Sequence, residues 1–215
     1  MNVTATTPDR PHRLLTVPAV TGAAYALSWV AGLSVGTPSP KLTASGREIV
    51  SAIAGHEGVV AAQFTLTEGL PAAGLAIVSV LLAKAVSRSG AVSAAKVIGV
   101  AGVAAAVISL VQFVLGLALS GATAPGTAHL LFQAGDRLDG VKMLALAVVG
   151  AATAVSGAVP RWLRWTGVAL AVSIAASGVV YLFLLQGLAL LAAPALILLL
   201  VFVTGAGIVL GRYGR

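Results

Sequence analysis

No cysteine occurs in the chain. Disulfides, thiol nucleophiles and thiolate metal sites are therefore excluded. Charge is nearly as scarce. Asp, Glu, Lys and Arg together make up 9% of 215 residues, against about 25% in soluble domains. So few charges cannot cover a water-exposed surface, although they suffice for one that faces lipid. Histidine occurs three times and never inside a long apolar run. A b-type haem, which needs histidine ligands within the bundle, is disfavoured on that ground. The histidines also lack the H-x-x-x-H and HExxH spacings of zinc sites. No nucleophile–base pair is visible, and no cofactor is expected.

Apolar sequence fills the space. Hydrophobic residues make up 59%, and the mean hydropathy is +1.04. About 20 apolar residues cross the hydrocarbon core as a helix, and six runs reach that length. They cover Leu14–Ser34, Gln63–Ala83, Val97–Leu119, Val141–Val159, Trp165–Leu185 and Leu188–Leu210. The first exceeds the apolar core of a signal peptide and is followed by no A-x-A site, so it reads as a retained span. The chain therefore reads as an all-α bundle of six transmembrane helices. Residues 14–212 form one transmembrane domain, with short tails at 1–13 and 213–215.

The scarce charges sort by side. Alternating from a cytoplasmic N-terminus puts Arg10, Arg13, Lys84, Arg88, Lys96, Arg161, Arg164, Arg212 and Arg215 inside, with Asp9 as the one acid. The outer side receives Lys41, Arg47, Arg137 and Lys142, against Glu48, Glu57, Glu68, Asp136 and Asp139. Nine inner cations against four outer ones fix the orientation by the positive-inside rule, with both termini cytoplasmic. Trp162 and Trp165 fall at the inner interface, where amphipathic rings are favoured. The basic residues come singly or in pairs, so orientation explains the net charge of +7 better than nucleic acid does. The implied partners are the bilayer, a second membrane protein or further copies of this chain.

Two outer connections read as long. In the first, Gly36-Thr37-Pro38-Ser39-Pro40 makes a turn. Ser45 and Glu48 then have capping-box spacing, followed by Ile49, Ile53 and His56 on one helical face and Gly55 as a stop. The spacing predicts a short amphipathic helix over about 46–54, lying on the outer interface or packing over the bundle. The second connection, Ser120 to Gly140, carries the run His129-Leu130-Leu131-Phe132, read as an interfacial dip. It ends in Asp136-Arg137-Leu138-Asp139-Gly140 before the fourth span.

Charged groups within spans are costly and mark candidate sites. Glu68 falls about one turn inside the outer leaflet, counting back from Lys84. Pro71 follows it, lacks an N–H and frees the carbonyl of Thr67. Asp139 and Lys142 are spaced to pair on one helical face. Asp136 or Asp139 also suits the positive N-terminal end of span four. An isolated carboxylate in the outer leaflet needs a partner, so Lys142 or Arg137 is expected within reach of Glu68. Gln112 lies in the outer half of span three, and Tyr25 and Tyr181 lie mid-span or further out. The candidate site is thus Glu68, Gln112, Asp136, Arg137, Asp139 and Lys142. His56 and His129, both in outer connections, are the weak candidates for a metal. The inner halves of the spans carry no ionisable residue between their flanking charges. An outward-opening pocket is therefore easier to build here than a channel.

Small residues at Gly32-x-x-x-Gly36 and Gly207-x-x-x-Gly211 permit close helix approach. Thr21-Gly22 with Ala24, Ala26 and Ser28 parallels Thr166-Gly167 with Ala169, Ala171 and Ser173, a match that internal repetition and the Ala- and Gly-rich composition both explain.

The stretch Arg137-Leu138-Asp139-Gly140-Val141-Lys142-Met143, followed by Pro160-Arg161-Trp162-Leu163-Arg164 opening a Gly-rich span, resembles small uncharacterised six-helix membrane proteins of bacteria, of actinobacterial type. The resemblance covers roughly residues 136–212. It implies the six-span fold and a role for Asp139 and Lys142, and it carries no reaction and no catalytic residue. The function expected from all this is a non-enzymatic binding or accessory subunit of a membrane assembly. A small proton-coupled transporter using Glu68 is the alternative. An outer-leaflet membrane enzyme is the third reading.

Overall fold

The computed structural model describes residues 16–36 and 40–213. The start of the first span at Leu14, the flanking Asp9, Arg10, Arg13 and Arg215, and the turn centred on Pro38 lie outside the described residues. The described chain runs α1 (Val17–Val35), α2 (Gly46–Ile53), α3 (Glu57–Phe64), a π turn (Thr65–Gly69), α4 (Leu70–Arg88), α5 (Val92–Ser120), α6 (Pro125–Val155), α7 (Arg161–Leu182), a 3-10 turn (Gln186–Leu191) and α8 (Ala192–Tyr213). Among the described residues, six helical stretches are long and apolar enough to cross a membrane. They are α1, α3 through α4, α5, α6, α7, and the 3-10 turn with α8.

Sequential neighbours α4, α5, α6 and α7 pack in series, and α8 closes the bundle against both α7 and α1. Side chains such as Leu82, Ile98, Leu163, Leu170 and Ile174 are fully buried between them. The outward faces stay apolar, as at Val100, Val172 and Leu190. In lipid, apolar burial hardly drives helices together. Close packing and interhelical hydrogen bonds do that work, and small residues permit both. Gly150 of α6 and Gly167 of α7 face each other, and a Cβ on either would stand 2.7 to 2.8 Å from the other's carbonyl oxygen. The small-residue spacings at the two chain ends serve the same purpose. Gly207 meets the Pro18 carbonyl of α1, and Gly32 meets Thr67 in the π turn. The repeated Thr-Gly pairs also sit at contacts: Gly22 packs on α8 and Gly167 on α6.

α6 differs from the expected span. It starts at Pro125 instead of Val141. Ala124 is extended and Pro125 occupies the first turn, where its missing N–H costs nothing. No breaker follows, so the helix runs 31 residues, about 47 Å at 1.5 Å per residue. The connection from α5 shrinks to Gly121–Ala124, and His129-Leu130-Leu131-Phe132 is ordinary helix rather than a dip. Asp136 and Asp139 consequently lie in the helix interior, not at its positive end. The second span likewise starts early, at Glu57, because α3 continues into α4 through the π turn. The other ends move by a few residues. α5 takes in Lys96, α7 covers Arg161–Leu182, and Leu184 turns the chain with a φ of 54°.

α2 is closed at its start by a reciprocal pair. The Ser45 N–H donates to Glu48 Oε2 at 2.7 Å, and the Glu48 N–H donates to Ser45 Oγ at 3.4 Å. Gly55, at a φ of +77°, turns the chain after the helix. Ile49 and Ile53 are buried with Val60, Leu119 and Ala128, so α2 packs over the ends of α3, α5 and α6. His56 does not share that face. It lies beyond the helix, exposed, at the start of α3.

Candidate functional site

The connections between α1 and α2, α5 and α6, and α7 and α8 meet at one end of the bundle. Lys84, Arg88, Lys96, Arg161, Arg164 and Arg212 lie toward the other. Every described Asp and Glu belongs to the first end, called here the acidic end.

Glu68 reaches its position through a local break in α-helical register. The Leu70 N–H bonds back to Thr65 O, five residues earlier. In a regular helix it would bond to Leu66 O. That carbonyl instead accepts the Ser28 hydroxyl of α1 at 2.6 Å. Pro71, with no N–H to give, follows directly. The expectation for proline named Thr67 as the freed carbonyl. The register shift extends the disruption to Leu66, and α1 supplies the replacement donor. π turns of this kind recur at functional sites. Here the turn holds Glu68 inward, where it is 6% exposed.

Lys142, 4% exposed, faces Glu68 from α6. Its Nζ donates to both Glu68 oxygens at 2.8 Å and lies 2.7 Å from Asp139 Oδ1. These are the ion pairs found among the described residues. A buried ammonium is tolerated when its three protons are all satisfied by anionic acceptors, and this one meets that condition. The Trp29 ring centroid, 6.0 Å from Nζ, adds a cation–π contact at the edge of its range. Arg137, the other expected partner, is exposed on α6 and forms no ion pair with the described residues. Lys142 rather than Arg137 therefore holds Glu68.

Gln112 ties α5 to the same cluster. Its Nε2 donates to Gly135 O at 3.1 Å and to Asp139 Oδ1 at 3.2 Å. Both partners are acceptors, so the orientation of the amide is fixed by chemistry. Oε1 is then left buried without a partner, as is Asp136 Oδ2. A cavity of about 340 Å³ opens at this end. Glu68, Gln112, Asp136 and Asp139 form its polar wall, and Phe64 and Phe132 stand among its apolar residues. Tyr181 and Gln186 also line it. Gln186 was no site candidate, yet its Oε1 accepts the Leu42 N–H at 2.6 Å and joins two connections across the mouth. Its place just after α7, in a connection carrying one polar side chain, was the available signal. Tyr25 is buried in the bundle core instead.

Beyond the cluster the interior closes to a void of about 10 Å³, with Ser79 as the one polar side chain in its wall. A separate cavity of about 330 Å³ opens at the basic end against Arg161, Arg164 and Trp165. The two histidines take different roles. His56 Nδ1 lies 3.2 Å from Ala54 O, and His129 Nδ1 lies 3.2 Å from Ala44 O. Among the described residues no group of three His, Asp or Glu side chains is arranged to hold a metal.

The fold and the cavity define a class: an all-helical protein with six helices able to cross a membrane and a polar cavity at one end. No family model, curated protein or solved structure matches the chain.

Proposed function

We propose that this chain is a multi-pass protein of the cell membrane whose acidic end faces outward, and that it works by binding. Residues 14–212 form its single transmembrane domain, with both termini in the cytoplasm. The orientation rests on nine Lys and Arg at one side against four at the other. α2 then lies at the outer surface, folded over the bundle by Ile49 and Ile53. The role is that of a non-enzymatic binding or accessory subunit in a membrane assembly, with another membrane protein or further copies of the chain as partner.

One observation carries the reading. A cavity large enough for a small molecule ends on a closed ion cluster, and the void beyond it, about 10 Å³, is lined by apolar side chains and Ser79. Such a site receives a ligand from one side. It offers no nucleophile with a base, which weighs against an outer-leaflet enzyme. The transporter reading keeps one observation in its favour, the π turn beneath Glu68, since such a turn is a natural point for a helix to rearrange. Proton coupling would require Glu68 to leave Lys142.

The test is native mass spectrometry of the full chain extracted in mild detergent. Gly135 lines the cavity, and a Cβ there would meet nothing within 4 Å, so Gly135→Leu adds bulk at the site from an unobstructed position. A non-covalent mass should accompany the wild type and be lost in the variant. A folded wild type that carries no such mass from any membrane preparation overturns the reading.

A further inference from the structure

We propose that the cavity at the acidic end takes a primary ammonium group attached to an apolar body. The assignment rests on the outward binding reading and names its ligand class.

The polar wall is one-sided. Glu68, Asp136 and Asp139 contribute three carboxyl groups to it. Lys142 stands behind Glu68 and Asp139 and is not part of the wall. The one cation lining the cavity is Lys41, which is exposed at its mouth. Lys142 also leaves the cluster short of positive charge, since one ammonium serves two carboxylates and Asp136 has no ionic partner among the described residues.

The unused hydrogen-bonding capacity has the same sense. Gln112 is 5% exposed, and its Oε1 is an acceptor without a donor. Rotating the amide would not help, because Oε1 would then face the oxygens of Gly135 and Asp139. Asp136 Oδ2 is a second acceptor without a donor. Two unsatisfied acceptors beside surplus carboxylates call for a group that is positive and carries several N–H bonds. A primary ammonium is both. A quaternary ammonium has the charge without the donors, and an anion has neither.

Size and apolar lining complete the argument. The cavity of about 340 Å³ exceeds the needs of a bare ion. The side chains of Phe64, Leu115, Leu119 and Phe132 offer an apolar surface for the rest of the ligand. Two sources present a primary ammonium at a membrane face: the headgroup of phosphatidylethanolamine, in which a phosphate stands between the ammonium and the acyl chains, and a free hydrophobic amine.

The experiment compares primary with quaternary ammonium in both forms, on the purified full chain. In nanodiscs, phosphatidylethanolamine is set against phosphatidylcholine, with lipid retention read by native mass spectrometry. In detergent, benzylammonium is titrated against benzyltrimethylammonium, with the thermal midpoint as readout. The primary form should be preferred by roughly tenfold or more, the worth of one charge-assisted hydrogen bond. Preference confined to the lipid arm identifies a headgroup site, and preference in the soluble arm identifies a free amine. Asp136→Asn should reduce the preference about tenfold without lowering the unliganded midpoint, since no hydrogen bond or ion pair of Asp136 with the described residues is broken. Gly135→Leu should abolish binding of both probes. Equal binding of primary and quaternary forms in both arms overturns the proposal. Binding of benzenesulfonate that Gly135→Leu abolishes, with no ammonium binding, also overturns it while leaving a binding cavity in place. Loss of the binding reading itself would show differently, as the absence of any bound mass.

Discussion

Lys142 on α6 grips Glu68 of the π turn by both carboxylate oxygens at 2.8 Å, joining residues that are 74 apart in sequence. Breaking such a buried pair from one side strands a charge, which costs about 3–5 kcal/mol. Asp139 still accepts from Lys142 when Glu68 is neutralised, so Glu68→Gln should fall near the lower end. Lys142→Met should cost more, because it strands two carboxylates at once. The double variant Glu68→Gln, Lys142→Met should recover part of the larger loss. Unfolding midpoints of the four proteins in one detergent complete the cycle. Additive losses would mean that the pair contributes nothing through contact.

Apolar run length carried most of the fold, because a bilayer core demands about 20 residues whatever their order. The pairing of Glu68 with a basic neighbour was legible for the same reason: a carboxylate at that depth cannot stand alone. Two features were not legible. The charged stretch Asp136–Asp139 looked like a loop, since hydropathy treats charge as exposure. Inside α6, Asp139 is held by Lys142 one turn further on and by Gln112 of α5, a neighbour from elsewhere in the sequence. The π turn was also hidden. Pro71 signals a lost N–H, but the Ser28 donor that takes up Leu66 O comes from α1, and no local pattern announces it.

The contact between α6 and α7 gives a packing prediction. A Cβ at Gly150 would stand 2.7 Å from Gly167 O, with backbone on both sides and no flexible group to yield. Gly150→Leu should lower stability by about 1–3 kcal/mol or prevent assembly. Gly126→Ala is the matched control. Nothing lies within 4 Å of its Cβ position, so stability should hold or rise slightly. Thermal unfolding of both variants in detergent checks the contrast, and equal effects would remove the close approach as a cause of stability.

α2 should respond to acid. The Ser45 N–H, with help from the Ser45 hydroxyl, holds the Glu48 carboxyl below its ordinary range. A group whose folded value is lowered contributes stability that is complete above the unfolded value and is lost as pH falls through the folded one. Amide exchange of α2, corrected for intrinsic rates, should therefore speed up on acidification below the normal carboxylate range. Glu48→Gln should flatten that dependence. An unchanged pH profile in the variant would assign the acid response to another group.

The orientation of the whole molecule can be reversed or upheld by two positions. Thr127 is exposed in the first turn of α6, at the acidic end, and Ser89 is exposed just after α4, at the basic end. The chain has no cysteine of its own, so each can be replaced by cysteine singly against a silent background. With the acidic end outward, Thr127→Cys should react with an impermeant maleimide in intact cells. Ser89→Cys should react only after the membrane is opened. The expectation follows from the cost of moving Lys and Arg across a membrane during insertion, which favours retaining the side that carries more of them. That side holds Lys84, Arg88 and Lys96 close around Ser89, so the nearest charges act together. Reaction of Ser89→Cys from outside, with Thr127→Cys protected, would invert the molecule. The cavity with Glu68, Gln112 and Asp139 would then open to the cytoplasm, and its ligand would have to be sought there.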